Sequence, residues 1–225
     1  MPAAPLTISN FNAACQKAEG RDKLARFFQY AARFILGMTA NSKTGTNLKT
    51  LNENARSLMV QLAGARRTHR WCKEFPVIQG IPKTLQIKGP ADLILELAQK
   101  CTLATFMIID HIGWLKQMKI LSGGKRAGTG TIQLGLSWFC ASNAIAAVIQ
   151  GKKLANQISD GGEKDTSQAR RTILETIVKH LFLVVQTAHL SRVYETNDKL
   201  VGALGMITSV QDFLPQWPQA QKEKN

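Results

Sequence analysis

Between Arg126 and Lys152 the chain runs for 25 residues without a charged side chain. Ionised groups are the costliest to take out of water, so a long stretch free of them is suited to enclosure. Two enclosures fit: the centre of a helical bundle, or hydrocarbon. Thr131 to Gln150, taken as a helix, would extend ~30 Å, the thickness of a bilayer's apolar core. Gln133, Ser137, Ser142, Asn143 and Gln150 weaken the spanning reading, while Ser142 and Ala146 form a small-x-x-x-small pair that lets a second helix approach closely. The residues of this segment leave both readings open.

Three further segments are apolar and helical by pattern. Asp92 to Leu115 carries Leu93, Leu97, Leu103, Ala104, Phe106, Met107, Ile108 and Ile109, but Glu96, Lys100 and Asp110 interrupt it. A charge near a bilayer centre costs about 2.5 to 3.5 kcal/mol on insertion scales. Ala169 to about Tyr194 includes the run Leu181 to Val185, which is too short to cross by itself. Leu200 to Val210 precedes Phe213 and Trp217, and Trp217 with Lys199 would suit the two ends of a membrane segment. The expected fold is therefore all-α, a helical membrane-associated chain with one to three candidate spanning or buried helices, in 92–115, 131–150 and 200–217. Lys125 and Arg126 before the middle segment balance Lys152 and Lys153 after it, so flanking charge does not orient it.

The net charge of +14 favours contact with a polyanion. It is uneven: residues 1–126 hold 19 basic and 7 acidic residues, and the remainder 10 and 8. In the basic part, Ser9 or Asn10 is placed to cap a helix. Leu24, Phe27, Phe28, Ala31, Phe34, Ile35 and Met38 then recur at helical spacing, with Arg21, Lys23, Arg26 and Arg33 as charged margins. A second amphipathic helix is expected from Thr50 to Phe75. At about 100° per residue Leu51, Ala55, Leu58, Leu62 and Ala65 share a side that Met59 extends, Arg56, Arg67 and Arg70 fall on a neighbouring sector, and Arg66 lies near the boundary. Such a helix suits a headgroup layer, its cations meeting lipid phosphate and its apolar side meeting acyl chain. It equally suits a bundle helix with a solvated face. On the first reading the membrane-binding residues are Leu51, Ala55, Arg56, Leu58, Met59, Leu62, Arg66, Arg67 and Arg70.

Polar breaks are expected at Asn41 to Asn47, Ser122 to Gly130 and Asn156 to Gln168. Pro76, Gly80, Pro82, Gly89 and Pro90 mark 76–90 as a loop and hinge. The chain thus divides into a basic amphipathic region (1–75), that loop, and a hydrophobic helical region (91–225).

Signs of chemistry are absent. Cys15, Cys72, Cys101 and Cys140 have no C-x-x-C spacing, and His69, His111, His180 and His189 lack an acidic or cysteine partner at ligand spacing. Ser122 to Gly130 is glycine-rich, yet Arg126 follows its Gly-Lys pair where a phosphate cradle requires Ser or Thr. No catalytic residue, metal or cofactor is expected. Neither a secretory signal nor a Ser-Lys-Leu address is recognised at the two ends.

Four blocks carry a resemblance. Gly20 to Arg33, with Asp22, Leu24, Arg26, Gln29, Tyr30 and Arg33, is similar to the N-terminal signature of the peroxin-11 family of peroxisomal membrane proliferation factors. Ile109 to Leu115 resembles its Asp-x-x-x-Trp element through Asp110 and Trp114, Glu175 to Val185 resembles a later helix, and Lys199 to Gly205 with Trp217 resembles its Gly-Leu-x-Gly segment through Gly202 and Gly205. The resemblance implies a helical membrane protein of peroxisomes or glycosomes, its N-terminal region facing the cytosol. It further implies insertion of an amphipathic helix, at Thr50 to Phe75 by position, into an anionic lipid membrane, together with self-association and elongation before division. A tail-anchored adaptor and a dynamin-related GTPase of the fission machinery are the implied further partners. Two alternatives remain: a metabolite channel with Gln133 and Asn143 facing its interior, and a basic helical nucleic-acid binder. The uncharged stretch from Ala127 to Gly151 disfavours the second, so nucleic acid is not an expected partner.

Overall fold

The structure is a computed structural model and describes residues 4–40, 45–159 and 166–219. Nine α-helices and one short 3-10 turn make up its regular structure, and no strand occurs among the described residues, as the all-α expectation required. The helices are α1 (Ile8–Gln16), α2 (Ala18–Thr39), α3 (Thr46–Thr68), α4 (Glu74–Gln79), α5 (Ile81–Thr84), α6 (Pro90–Gln117), α7 (Gly128–Ser159), α8 (Thr166–Leu190) and α9 (Asp198–Phe213). Parts of the breaks expected at 41–47 and 156–168 lie outside the described residues.

Local chemistry explains the boundaries and corrects several expectations. Thr7, not Ser9 or Asn10, caps α1, its hydroxyl accepting the Asn10 N–H at 3.2 Å. The extended backbone of Lys17 (ψ 135°) then separates α1 from α2. The stretch expected as a loop at 76–90 holds α4 and α5 instead. Pro76 and Pro82 sit in their first turns, where the missing N–H would have no helical acceptor anyway. Pro90 opens α6 for the same reason. The Asn197 side chain caps α9 through the Leu200 N–H at 2.7 Å.

The chain forms two compact units. The first joins the described residues up to His69 with those from Thr196, so the C-terminal segment belongs with the N-terminal helices and not with the hydrophobic region assigned to 91–225. In it α2 packs against α1, α3 and α9. A Cβ added at Gly202 would stand 2.5 Å from the Phe34 backbone nitrogen, and one at Gly205 would enter the Tyr30 ring. Only glycine permits this approach of α9 to α2. Trp217, expected at a membrane interface, donates its indole N–H to the Ala4 carbonyl at 2.9 Å and, with Phe213 and Phe11, ties the two chain ends together. With only 16 residues, about 24 Å of helix, and Val201, Gly202, Gly205, Thr208 and Ser209 buried, α9 is no candidate span.

The second unit runs from Arg70 to Glu195. Its frame is an antiparallel set in which α6 and α8 both pack on α7. Added Cβ atoms at Gly113 and Gly128 would stand 2.6 Å from Ile132 and 2.7 Å from Gln117 respectively. The Phe106 and Phe139 rings stack at 4.4 Å. Among the described residues two helices are long and apolar enough to cross a bilayer: α7, and the part of α8 from Ser167 to Leu190. The expected candidate 131–150 lies inside α7. The candidate 92–115 lies in α6 and is not among them, whereas α8, dismissed for the brevity of Leu181 to Val185, is.

Replacing Gly205 with Leu is predicted to destabilise the first unit by about 1–3 kcal/mol through overpacking. Gly64, in mid-α3 with open space around its Cα, is predicted to gain about 0.5–1 kcal/mol on change to Ala. Thermal unfolding of the full chain in detergent checks both, the midpoint falling for the first and rising for the second.

Candidate membrane-facing site

The polarity of α2 is inverted relative to a helix of a water-soluble bundle. Its buried residues include Asp22, 1% exposed, Arg26 and Tyr30, while Phe28 and Met38 are about half exposed, at 49% and 51%. The buried polar face is satisfied from two sides. Toward α3, Asp22 Oδ1 accepts from Arg66 Nε at 3.0 Å, and Arg66 also donates to Gln29 Oε1 at 2.6 Å. Toward α9, Arg26 donates to Asp212 Oδ2 and to Thr208 Oγ1, each at 2.9 Å, and Arg33 pairs with Asp198. Lys23 adds ion pairs to Glu19 at 2.8 Å and to Asp212 at 3.6 Å. Buried charges persist only when paired and hydrogen-bonded, and every charged member of this face has such a partner.

The face of α3 that meets α2 is set by Ala55, Asn52 and Arg66: Ala55 is buried, and Asn52 accepts from Thr39 at 2.6 Å. Met59 and Leu62 are half-buried, whereas Leu51, Leu58 and Arg56 are exposed. Five positions separate Leu51 from Arg56, about 140° of rotation, so this cation and the exposed leucines point to different sides. Arg66, expected to meet lipid phosphate, is held by Asp22. Arg67 is half-buried and donates to the Ala63 carbonyl at 3.3 Å. Helices α2 and α3 are antiparallel, since Asp22 meets Arg66 at one end and Thr39 meets Asn52 at the other. Turning in the same sense from their line of contact brings Leu24, Phe28 and Ile35 to the same side of the pair as Leu51 and Leu58.

The second unit shows the same inversion. Ser142, Asn143, Gln186 and Thr187 are buried. Gln99 meets Ser142 at 3.3 Å, and Asn143 Oδ1 lies 2.9 Å from His180 Nδ1. Meanwhile Val148, Trp138, Leu174, Val178 and Leu181 are exposed. Only 33% of the most apolar 18-residue stretch of α7 and 17% of that of α8 is buried within the described residues. Arg70, expected to face lipid with α3, belongs to this unit and lies 3.6 Å from the buried Asp110. Trp71 stacks on His111 at 5.3 Å and meets Trp114 edge-on at 5.9 Å. Among the described residues no group of three or more His, Cys, Asp or Glu is placed to hold a metal.

The family model described as Peroxisomal biogenesis factor 11 matches residues 8–217. The chain belongs to the PEX11 family. Among curated relatives, it is 26% identical to Peroxisomal membrane protein 11D of Arabidopsis thaliana, covering 86% of this chain and 85% of that protein. It is 24% identical to Peroxisomal membrane protein 11-1 of Oryza sativa subsp. japonica, over 90% and 88%. No solved structure matches. Of the residues carrying the PEX11 resemblance, Asp22, Arg26, Gln29, Tyr30, Arg33, Gly202 and Gly205 converge on the contacts of α2 with α3 and α9, and Asp110 and Trp114 on the Arg70–Trp71 cluster. Leu24 lies instead on the outward side of α2. Sequence reasoning missed the acceptors Asp198, Thr208 and Asp212. The one available signal was two carboxylates near the ends of a helix whose only other charged residue is Lys199.

Asp22→Ala is predicted to cost about 3–5 kcal/mol, because it strips Arg66 of its buried carboxylate. Arg56→Ala, at an exposed position, is predicted to stay within about 0.5 kcal/mol. Denaturant unfolding of the two variants in detergent distinguishes these outcomes.

Proposed function

We propose that this chain resides in the peroxisomal membrane and promotes elongation and division of the organelle, without catalysis, by wedging apolar helix faces into one leaflet and by self-association. Family membership and the peroxisomal membrane proteins among its relatives support the location and the general role. The observation that carries the mechanism is the inverted polarity of α2, α7 and α8. In water, exposed Phe28, Met38, Leu51 and Leu58 would be unfavourable. Against acyl chain they are solvated, and the inward pairing of Asp22 and Arg26 keeps charge out of hydrocarbon.

The wedge assigned here is the side of α2 and α3 bearing Leu24, Phe28, Ile35, Leu51 and Leu58. A helix face sunk ~5–10 Å into the headgroup boundary expands that leaflet relative to the other, and many copies favour curvature. The cations expected to assist, Arg66 and Arg70, are occupied by Asp22 and Asp110, so apolar burial supplies most of the attachment. In the second unit α7 and α8 cross the bilayer. Along the body of α6 the charges are compensated, Asp92 by Lys152 at 2.6 Å, Glu96 by Lys153 at 3.7 Å, Asp110 by Arg70, and Lys100 by the Gly80 carbonyl at 3.1 Å and by Thr84, leaving Lys116 in the last turn without an acidic partner among the described residues. Arg70 meets Asp110, and the last turn of α8 lies beside the first turns of α7. Both connections to the first unit therefore leave the second at one end, which this account assigns to the cytosol. A channel is not favoured: Asn143 is buried and engaged by His180.

Leu51→Asp with Leu58→Asp is predicted to remove about 1.5–3 kcal/mol of apolar transfer per leucine. Vesicle tubulation by the reconstituted full chain should fall at least tenfold by that figure, and organelle elongation in cells lacking the native protein should not be restored. Arg56→Glu should leave both largely intact. Unchanged tubulation by the leucine variant would remove the wedge from the account.

A further inference from the structure

The turn joining α6 to α7 stands out among the described connections of the second unit. Residues 117–127 are exposed without interruption. They include three large apolar side chains that nothing in the structure covers: Met118, Ile120 and Leu121, of which Ile120 is 66% exposed. Four cations accompany them: Lys116, Lys119, Lys125 and Arg126. The sequence holds no Asp or Glu between Asp110 and Asp160, and none of the four cations makes a salt bridge among the described residues. The Lys116 ammonium is instead drawn across the turn to the Arg126 carbonyl at 3.2 Å, which keeps the two ends of the turn together. At the far end of the same helices the pattern is opposite, because Lys152 and Lys153 are neutralised by Asp92 and Glu96.

We infer that the turn 116–126 is an anionic-lipid binding element, in which Met118, Ile120 and Leu121 enter the headgroup boundary while Lys116, Lys119, Lys125 and Arg126 engage lipid phosphate and carboxylate groups. The turn ends two residues before Gly128, the first residue of the longest candidate span, which fixes it at the level where a bilayer's headgroups begin. Apolar side chains alone would fit a protein partner or a second copy. Apolar side chains interleaved with four unopposed cations, at the mouth of a span, fit a negatively charged leaflet. Lys119 adopts positive φ (59°) and Gly123 and Gly124 do the same, so the backbone doubles back sharply, and the Lys116–Arg126 hydrogen bond holds the two ends of the turn, each with its cation pair, together. Each cation near such a surface is worth about fivefold in partition, and the four together several hundredfold. This site is separate from the α2–α3 wedge, and neither depends on the other.

The test places an environment-sensitive fluorophore on the full chain through Ile120→Cys, the four native cysteines having been changed to Ser, and reconstitutes the product into vesicles of phosphatidylcholine with or without phosphatidylserine. The expected result is a blue-shifted probe shielded from an aqueous quencher only when phosphatidylserine is present. The shielding should be lost at 1 M salt, where the screening length is about 3 Å, and lost again when Lys116, Lys119, Lys125 and Arg126 are all changed to Gln. Changing Lys152 and Lys153 to Gln should preserve it, and circular dichroism should show unaltered helix content in both variants. A probe that stays open to the quencher in anionic vesicles, or a shielding that survives the four substitutions, overturns the proposal. So does equal shielding in both kinds of vesicle, which would mean apolar insertion without recognition of charge. Because vesicle tubulation is not the readout, failure here and failure of the wedge are told apart.

Discussion

The Arg26 guanidinium, buried between α2 and α9 and held by Asp212 and Thr208, depends on an arrangement that recurs through the molecule: charged and polar groups face inward and are paired, and apolar groups face outward. Each buried charge of α2 finds its partner on a different helix. Removing one partner leaves an uncompensated charge in a poorly polarisable place, which is the costly case. These ion pairs therefore fix which helices may be neighbours and in what register. Gly202 and Gly205 complete the constraint by letting the α9 backbone reach Phe34 and Tyr30.

Once the polar face of α2 is committed inward, its apolar face has only one direction left. The same holds for α7 and α8, where Ser142, Asn143 and His180 join neighbouring helices, the buried Gln186 bonds back to the Phe182 carbonyl, and Trp138, Val148 and Leu181 remain outside. Between helices in lipid, apolar contact offers no advantage over contact with acyl chain, so small residues and hydrogen bonds provide the adhesion. The glycine contacts and polar cross-links of both units are of that kind. Structure and proposed role thus share one cause: a fold whose adhesive groups are internal and polar presents to its surroundings the surface that a membrane solvates.

Much of this was legible in the residues themselves. The uncharged interval from Arg126 to Lys152 marked α7, and the three-four spacing from Leu24 to Met38 marked α2 as amphipathic. Periodicity reveals that a helix has two faces, yet not which one turns inward, and for α2 that choice is made by Arg66, Asp198 and Asp212, residues distant in sequence. Arg66 looked like an edge cation because nothing near it in the chain is acidic; its partner Asp22 lies 44 positions earlier. The helix α8 was undervalued because its apolar run is short and His180, Gln186 and Thr187 dilute it. Those polar groups are consumed by α7 or by α8's own carbonyls, so they no longer count against burial. The loop expected at 76–90 shows the converse error. Proline breaks a helix in its interior, whereas Pro76 and Pro82 stand where a helix begins.

The central claim is that the outward apolar faces of α7 and α8 are in contact with acyl chains. Photolabelling of the reconstituted full chain with a carbene precursor carried on a lipid tail, followed by mass-spectrometric mapping, tests it most directly. The account predicts label on Trp138, Val148, Leu174, Val178 and Leu181, and none on Ser142, Asn143 or Gln186. Label on the polar set, or a chain that takes up no label and stays monomeric in water without detergent, would contradict it.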